Sequence, residues 1–397
     1  MLSYTARLYR DAYGGLTRPT WLLSLVMLIN RSGTMVIPFM TIYLTSPQMG
    51  YSIGKAGLVM ALFGLGAMMG GFFGGRLTDK IGFYPVQIIT LTGGGILFIV
   101  LGYMQSFPLI CIFTFVLSLV NEAFRPANST AIAFYSREDN RTRAYSLNRL
   151  AINLGWAVGG AMGGILARIN YKLLFWVDGI TNLAAAYLMW HFLREAAAVR
   201  TKANAHLKAE HQVSPCRDGT YLLFIALTCI FATCFFQLFT TLSAYYKNEL
   251  NFSEPFIGFL MALNGLIIVI IEMVLIFRLE GRRPNTFYIS WGIFLIGLFY
   301  LSLNLFHVTR PVAVMEMALL TIGEILAMPF MNSYWITRTN PANRGQYAGL
   351  YTMAWAVAQT LAPLLGGQIA GASGFASLWW IIAALCLLVF AGFRFLF

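Results

Sequence analysis

Long apolar runs separated by short polar breaks dominate the chain from residue 19 onward. The runs are about 18–26 residues with sparse charge, and each is long enough to cross a hydrocarbon core of roughly 30 Å as a helix. Twelve spans are expected, at about 19–44, 55–75, 85–105, 107–134, 144–168, 172–193, 219–246, 255–278, 285–305, 311–337, 345–372 and 375–396. Helices follow because backbone polar groups in lipid must find partners within their own segment. A β-barrel would show shorter alternating segments, which are absent from the pattern. The fold class is therefore an all-α membrane protein. Composition agrees: of 397 residues 58% are apolar, 15% aromatic and 11% charged, against roughly 45–50% apolar and about 25% charged in soluble domains.

A net charge of +12 could suggest a nucleic-acid partner, but the placement of the basic residues argues for membrane topology instead. With the first segment inside, nineteen Lys and Arg, among them Arg76, Lys80, Arg141, Arg143, Arg282, Arg283, Arg338 and Arg344, fall on one face. Five, Lys55, Arg168, Lys172, Lys247 and Arg310, fall on the other. The positive-inside rule then places both termini in the cytoplasm, and an inner (plasma) membrane location is expected. The first 18 residues are polar and the first apolar run is too long for a signal-peptide core, so no cleavage is expected. Cys111, Cys216, Cys229, Cys234 and Cys386 have no disulfide or metal-ligand spacing.

Internal similarity organises the chain. Tyr51-Ser52 and Gly57 to Leu65 match Phe252-Ser253 and Gly258 to Leu266, and Asn140-Arg141, Leu147, Ala151 and Gly163-Gly164 match Asn343-Arg344, Leu350, Ala354 and Gly366-Gly367. The offset is about 200 residues throughout, so two pseudo-symmetric six-helix bundles are expected, a parallel-repeat architecture. Residues 1–193 form the first, residues 219–397 the second, and the polar segment 194–218 is the cytoplasmic linker. Gly66, Gly70 and Gly74, and likewise Gly155, Gly159 and Gly163, recur every fourth residue and allow close helix approach. Pro38 and Pro363 are candidate kinks.

Ionisable residues inside the spans mark the candidate site, because a charge at the bilayer centre costs about 2.5–3.5 kcal/mol on insertion scales. Arg31, Glu122, Arg125 and Arg149 occupy the first half; Glu272 and Glu324 the second; Asp178 lies near the outer end of the sixth span. Glu122 and Glu324 lead the candidates for proton coupling, followed by Glu272 and Asp178, since burial and neighbouring arginines set a carboxyl between two protonation states. A static Glu122–Arg125 ion pair, and snorkelling of Glu272 and Asp178, are the structural alternatives. Arg31, Arg125 and Arg149 are expected on the substrate, with Asn128, Asn153, Gln237, Asn264, Asn332 and Tyr334 at matching depth, although any of these polar residues is more often interhelical glue. The four histidines, His191, His206, His211 and His307, lie at span ends or in loops, and no nucleophile–base pair or phosphate loop occurs, so an enzyme is not expected.

The pattern resembles the major facilitator superfamily over essentially the whole chain. Gly75-Arg76-Leu77-Thr78-Asp79-Lys80-Ile81-Gly82 is similar to that family's cytoplasmic signature, with Phe83 and Tyr84 where two basic residues normally follow. The resemblance implies that Asp79, with Gly75 and Gly82, holds one conformation closed, and that Glu280 is its counterpart in the second half. Phe124-Arg125-Pro126-Ala127-Asn128 and Gly155 to Gly164 resemble the helix 4 and 5 region of drug–proton antiporters, with Gly159-Gly160 in place of the usual Gly-Pro. The implied function is secondary active transport by alternating access: proton-coupled export of small amphiphilic or drug-like solutes. The alternative is a proton-coupled importer of peptides or other zwitterionic or anionic molecules. Small-molecule substrate, protons and lipid are the expected partners of a monomer, with no cofactor and no metal.

Overall fold

The computed structural model describes residues 2–204 and 214–395. Regular structure among them is entirely helical. A short helix α1 (Leu2–Tyr13) precedes the first span, which is broken into α2 (Arg18–Ser32) and α3 (Val36–Thr45). Next come α4 (Ile53–Ile81), α5 (Phe83–Leu101), a fourth span broken into α6 (Phe107–Glu122) and α7 (Phe124–Tyr135), α8 (Arg141–Ile169) and α9 (Tyr171–Asn204). The second half runs α10 (Gly219–Phe236), α11 (Thr241–Asn248), α12 (Glu254–Leu279), α13 (Asn285–Leu305), α14 (Arg310–Thr337) and α15 (Arg344–Phe395).

Eleven helical stretches among the described residues are long and apolar enough to cross a membrane. The last of these, 52 residues long, holds two crossings. They meet at Gly374, whose φ of 82° lies in the left-handed region that a side chain strains to enter. Twelve crossings result, as expected. The sixth span continues past its expected end to Asn204, while residues 205–213 of the expected linker lie outside the described residues.

Pseudo-symmetry extends to irregularities that the helical pattern does not contain. The first span breaks over residues 33–35 and the seventh over 237–240. Pro126 in α7 and Pro329 in α14 occupy equivalent places, where the ring removes a backbone donor and crowds the preceding turn. The fourth span, expected to be continuous, bends at Ala123 just before its proline.

The halves meet on one side only. The extensive apolar core draws residues from both halves, including Val26, Phe83, Tyr135 and Tyr145 of the first and Phe224, Tyr288 and Trp335 of the second. A second core, built on Met35, Tyr43, Phe98 and Phe175, belongs to the first half alone. Helix α8 shows the transition along its length. Residues 144–148 are buried in succession, whereas beyond Asn153 burial is confined to Gly155, Gly159 and Gly163, the stripe that packs on Arg31, Ser32 and Phe39 of the first span. In α15 the same change occurs at Gln359: buried positions dominate 345–358, and Pro363, Leu364, Leu365 and Gly367 are exposed. The bundles are therefore pressed together on the face bearing Arg76, Arg141 and Arg344, hereafter the basic face. A cleft opens between them toward the opposite face.

Close approach on the basic face requires glycine. A methyl group on Gly75 would run into the carbonyl oxygen of Gly345, and one on Gly345 into the carbonyl of Gly75. Gly75→Val is accordingly expected to wedge the bundles apart on this side. Spin labels on Leu77 and Ala342, measured by electron–electron resonance in purified protein, should show a longer and broader distance than the parent. An unchanged distribution would mean that the basic face tolerates the added bulk.

Candidate functional site

The basic face is closed by a pair of matching contacts. Asp79, near the end of α4, accepts the main-chain N–H of Gly345 at 2.6 Å and of Gln346 at 2.8 Å, in the first turn of α15. Glu280, just past α12, accepts the N–H of Thr142 at 2.7 Å in the first turn of α8 and the Arg143 guanidinium at 3.2 Å. The first N–H groups of a helix have no intrahelical acceptor, and the helix dipole favours negative charge beside them. Each acid therefore caps a helix of the opposite half. Burial pushes the Glu280 carboxyl above its usual range, against the bonds from Thr142 and Arg143. Gly82, with φ of 94°, turns the chain from α4 into α5.

Helix α1 reinforces the seam. Tyr9 donates to the carbonyl of Ile270 in α12 at 2.6 Å. Arg143 reaches the carbonyls of Ala12 at 3.3 Å and Gly14 at 3.1 Å, so one arginine ties α1 and α8 to Glu280.

Deeper in the bundle, Arg149 on α8 pairs with Glu272 on α12 at 2.7 Å and with Glu324 on α14 at 2.5 Å. Asn264 on α12 donates to the other oxygen of Glu324 at 2.9 Å and to Thr321 at 3.0 Å. Glu272 and Glu324 are 1% and 5% exposed, so snorkelling does not account for Glu272. Buried charges persist when geometry supplies opposite charge and hydrogen bonds together. Here one planar guanidinium from the first half holds two carboxylates from the second.

In the first half, Glu122 and Arg125 form a 3.1 Å pair across the break in the fourth span. Arg31 on α2 lies within electrostatic reach of both, yet its Nε is buried without a hydrogen-bond partner. Asn153, one turn beyond Arg149, also has an unpartnered amide nitrogen.

Several expected site residues do other work. Asp178 accepts the N–H groups of Met35 at 3.0 Å and Val36 at 2.9 Å, which caps α3 where the first span breaks. Both of its oxygens are engaged by main chain. Gln237, at the matching break in the seventh span, donates to the Ala362 carbonyl at 2.8 Å and accepts from Thr241 at 2.6 Å. Asn128 links Gln87 and Asn148, each at 3.3 Å, between α5, α7 and α8. Asn332 donates to Met328 of its own helix at 3.2 Å, and Tyr334 packs on Phe224 with ring centres 4.9 Å apart. Gln237 and Asn128 thus bond between helices, Tyr334 packs between helices, and Asn332 bonds within its own.

Other residues were not singled out from the sequence. Tyr351 and Trp355 sit one turn apart on α15, with centroids 6.2 Å apart, and Tyr351 lies within reach of Arg125 and Arg149. Nothing in their local sequence separates them from the chain's many other aromatics. Asp218 also escaped notice: at the start of α10 it binds Arg338 at 2.9 Å and Tyr347 at 3.1 Å. Burial raises its pKa, but the bonds from Arg338, Tyr221 and Tyr347 outweigh this and hold it below the usual carboxylate range.

The arrangement of two bundles, a one-sided cleft and a charged centre is that of a membrane transporter. The profile of the Major Facilitator Superfamily matches residues 20–363, and the chain belongs to that family. It is 22% identical over 356 residues to the uncharacterised MFS-type transporter YqjV of Bacillus subtilis, covering 88% of this chain and 85% of that one. It is 20% identical to the quinolone resistance protein NorA of Staphylococcus aureus, covering 84% and 85% of the two chains. The crystal structure of the human organic anion transporter MFSD10 superimposes with a TM-score of 0.77 at 16% identity, over 95% of this chain and 99% of that one. The protein is thus a multi-pass membrane transporter of small molecules and not an enzyme.

Removing Arg149 alone should be far worse than removing the whole triad. Arg149→Met leaves two carboxylates buried without a counter-charge, at a cost of about 3–5 kcal/mol. Combined with Glu272→Gln and Glu324→Gln, it leaves no charge behind and should recover most of that loss. Thermal unfolding of the purified variants, followed by tryptophan fluorescence, makes the comparison. A triple variant no more stable than Arg149→Met would contradict the pairing.

Proposed function

We propose that the protein exports small amphiphilic organic solutes, drug-like compounds among them, driven by protons entering the cytoplasm through the same cleft. The observation that carries this reading is the bond of Arg149 to Glu272 and Glu324, an ionic link between opposite halves made entirely of side chains that a proton can weaken. With the basic face cytoplasmic, as the positive-inside distribution favours, the cleft opens outward. A proton arriving from outside neutralises one carboxylate, and Arg149 then has a single charge to hold.

The bundles are also joined by the caps at Asp79 and Glu280, so protonation removes one of several restraints and shifts a balance between two arrangements. Once the cytoplasmic side opens, the proton leaves to the interior and substrate enters the cleft. Return of the bare carboxylates to Arg149 closes that side again. Substrate bound meanwhile is released outward. Likeness over most of the chain to a quinolone resistance protein supports the export direction, and the side-chain link supports the coupling ion.

Glu324→Gln is expected to separate coupling from binding. In proteoliposomes loaded with substrate, the parent should move protons in exchange for solute, and the variant should lose at least about tenfold of proton-driven flux while keeping solute exchange at zero gradient, a change of roughly 1.4 kcal/mol or more in the coupled step. Cells lacking their own efflux pumps should be protected by the parent and not by the variant. If the variant drives accumulation against a gradient as well as the parent does, Glu324 does not carry the proton.

A further inference from the structure

Hydrogen-bonding capacity around the cleft is unbalanced toward donors. Arg31 Nε on α2 and Asn153 Nδ2 on α8 are buried with no protein acceptor, and on α15 the Trp355 indole and the Tyr351 hydroxyl have only each other, which leaves the hydroxyl proton free to donate. The acids nearby are already engaged: Glu122 by Arg125, Glu324 by Arg149 and Asn264, and one oxygen of Glu272 by Arg149. Among these acids one oxygen of Glu272, faced by Ser146, and one of Glu122 are not taken by the bonds just named. Buried donors without acceptors are costly, so a set of them selects for a ligand rich in acceptor atoms.

Charge and shape narrow the class. Arg31 is the arginine of the cleft that has no carboxylate bonded to it, and the charges of both Glu122 and Arg125 act on it. Tyr351 comes within reach of that same Arg125 from the opposite half. One turn further along α15, Trp355 stands among Phe231, Phe235 and Phe236, with ring centres 6.3, 6.2 and 5.9 Å away. Guanidinium groups grip planar or tetrahedral oxyanions in a forked manner, and an aromatic wall takes a flat ring.

We propose that the transported solute is an aryl organic anion, a carboxylate or phosphonate. Its oxygens take Arg31 and the Tyr351 hydroxyl, and its ring lies against Trp355. This rests on the cleft being the substrate site, and it is independent of proton coupling and of transport direction. Lysine at position 31 would keep the charge and lose the fork; glutamine would lose both.

Three naphthyl probes of matched size, 2-naphthoate, 2-naphthamide and 2-naphthylmethylammonium, and the smaller phenylphosphonate test the assignment on the purified full chain, titrated by tryptophan quenching and calorimetry. The parent should bind naphthoate at least about tenfold tighter than the amide or the ammonium, with phenylphosphonate also retained, tenfold being one decade in Kd. Arg31→Gln should erase the preference for the anion and leave amide affinity within about twofold. Tyr351→Phe, which keeps the ring, should weaken naphthoate a few-fold and serves if Arg31→Gln does not fold. Tightest binding of the amide or ammonium, binding of neither anion, or an anion preference that survives both substitutions would overturn the proposal. Since the titration uses no proton gradient, an anion preference without proton-driven flux would sink the exporter reading and leave this one standing.

Discussion

Carboxylates that cap helices of the opposite half are the contact on which the rest of the arrangement depends. A helix end exposes N–H groups that its own backbone cannot satisfy. In α8 and α15 those ends are buried at the seam between the halves, so an acceptor must come from across it. Asp79 and Glu280 supply it in matching fashion. Their reach fixes how the bundles tilt on the basic face, and the tilt opens the cleft on the other. Because the acceptors are single side chains, the seam is strong in one arrangement and has no gradual alternative, which is the property a two-state transporter needs.

The Arg149 triad has a different physical character at greater depth. Two glutamates so fully withdrawn from water would be prohibitive alone, and one arginine from the other half makes them tolerable. The residues that neutralise one another belong to separately moving bodies in the proposed cycle. Separation of those bodies then requires some other neutralisation, by protons or by solvent entering from the cytoplasmic side. In the proposed cycle, one link between the halves and the chemistry of coupling reside in the same three side chains.

Breaks in the first and seventh spans show how the scaffold accommodates irregular backbone in lipid. Non-helical segments are tolerated where protein satisfies their polar groups. Asp178 does so for Met35 and Val36, and Gln237 ties the second break to α15. Asp178 and Gln237 are thus buried polar residues that hold the chain where it departs from a helix.

Much was legible in the sequence because the bilayer imposes a length and an apolar composition on every crossing, and duplication repeats them at a fixed offset. The twelve spans, the paired halves and the ionisable residues at mid-depth all follow from those constraints. The Asp79 and Glu280 positions could be read from a short motif and its repeat. Sequence position alone cannot say which of two buried acids pairs with a distant arginine and which caps a broken helix, since both look like a charge where lipid forbids one. Asp178 and Glu324 received opposite uses only when packing set one beside α3 and the other beside Arg149 of the far half. Pairings across 123 and 175 residues of chain are decided by how the two bundles lean together, and no local pattern of residues encodes that angle.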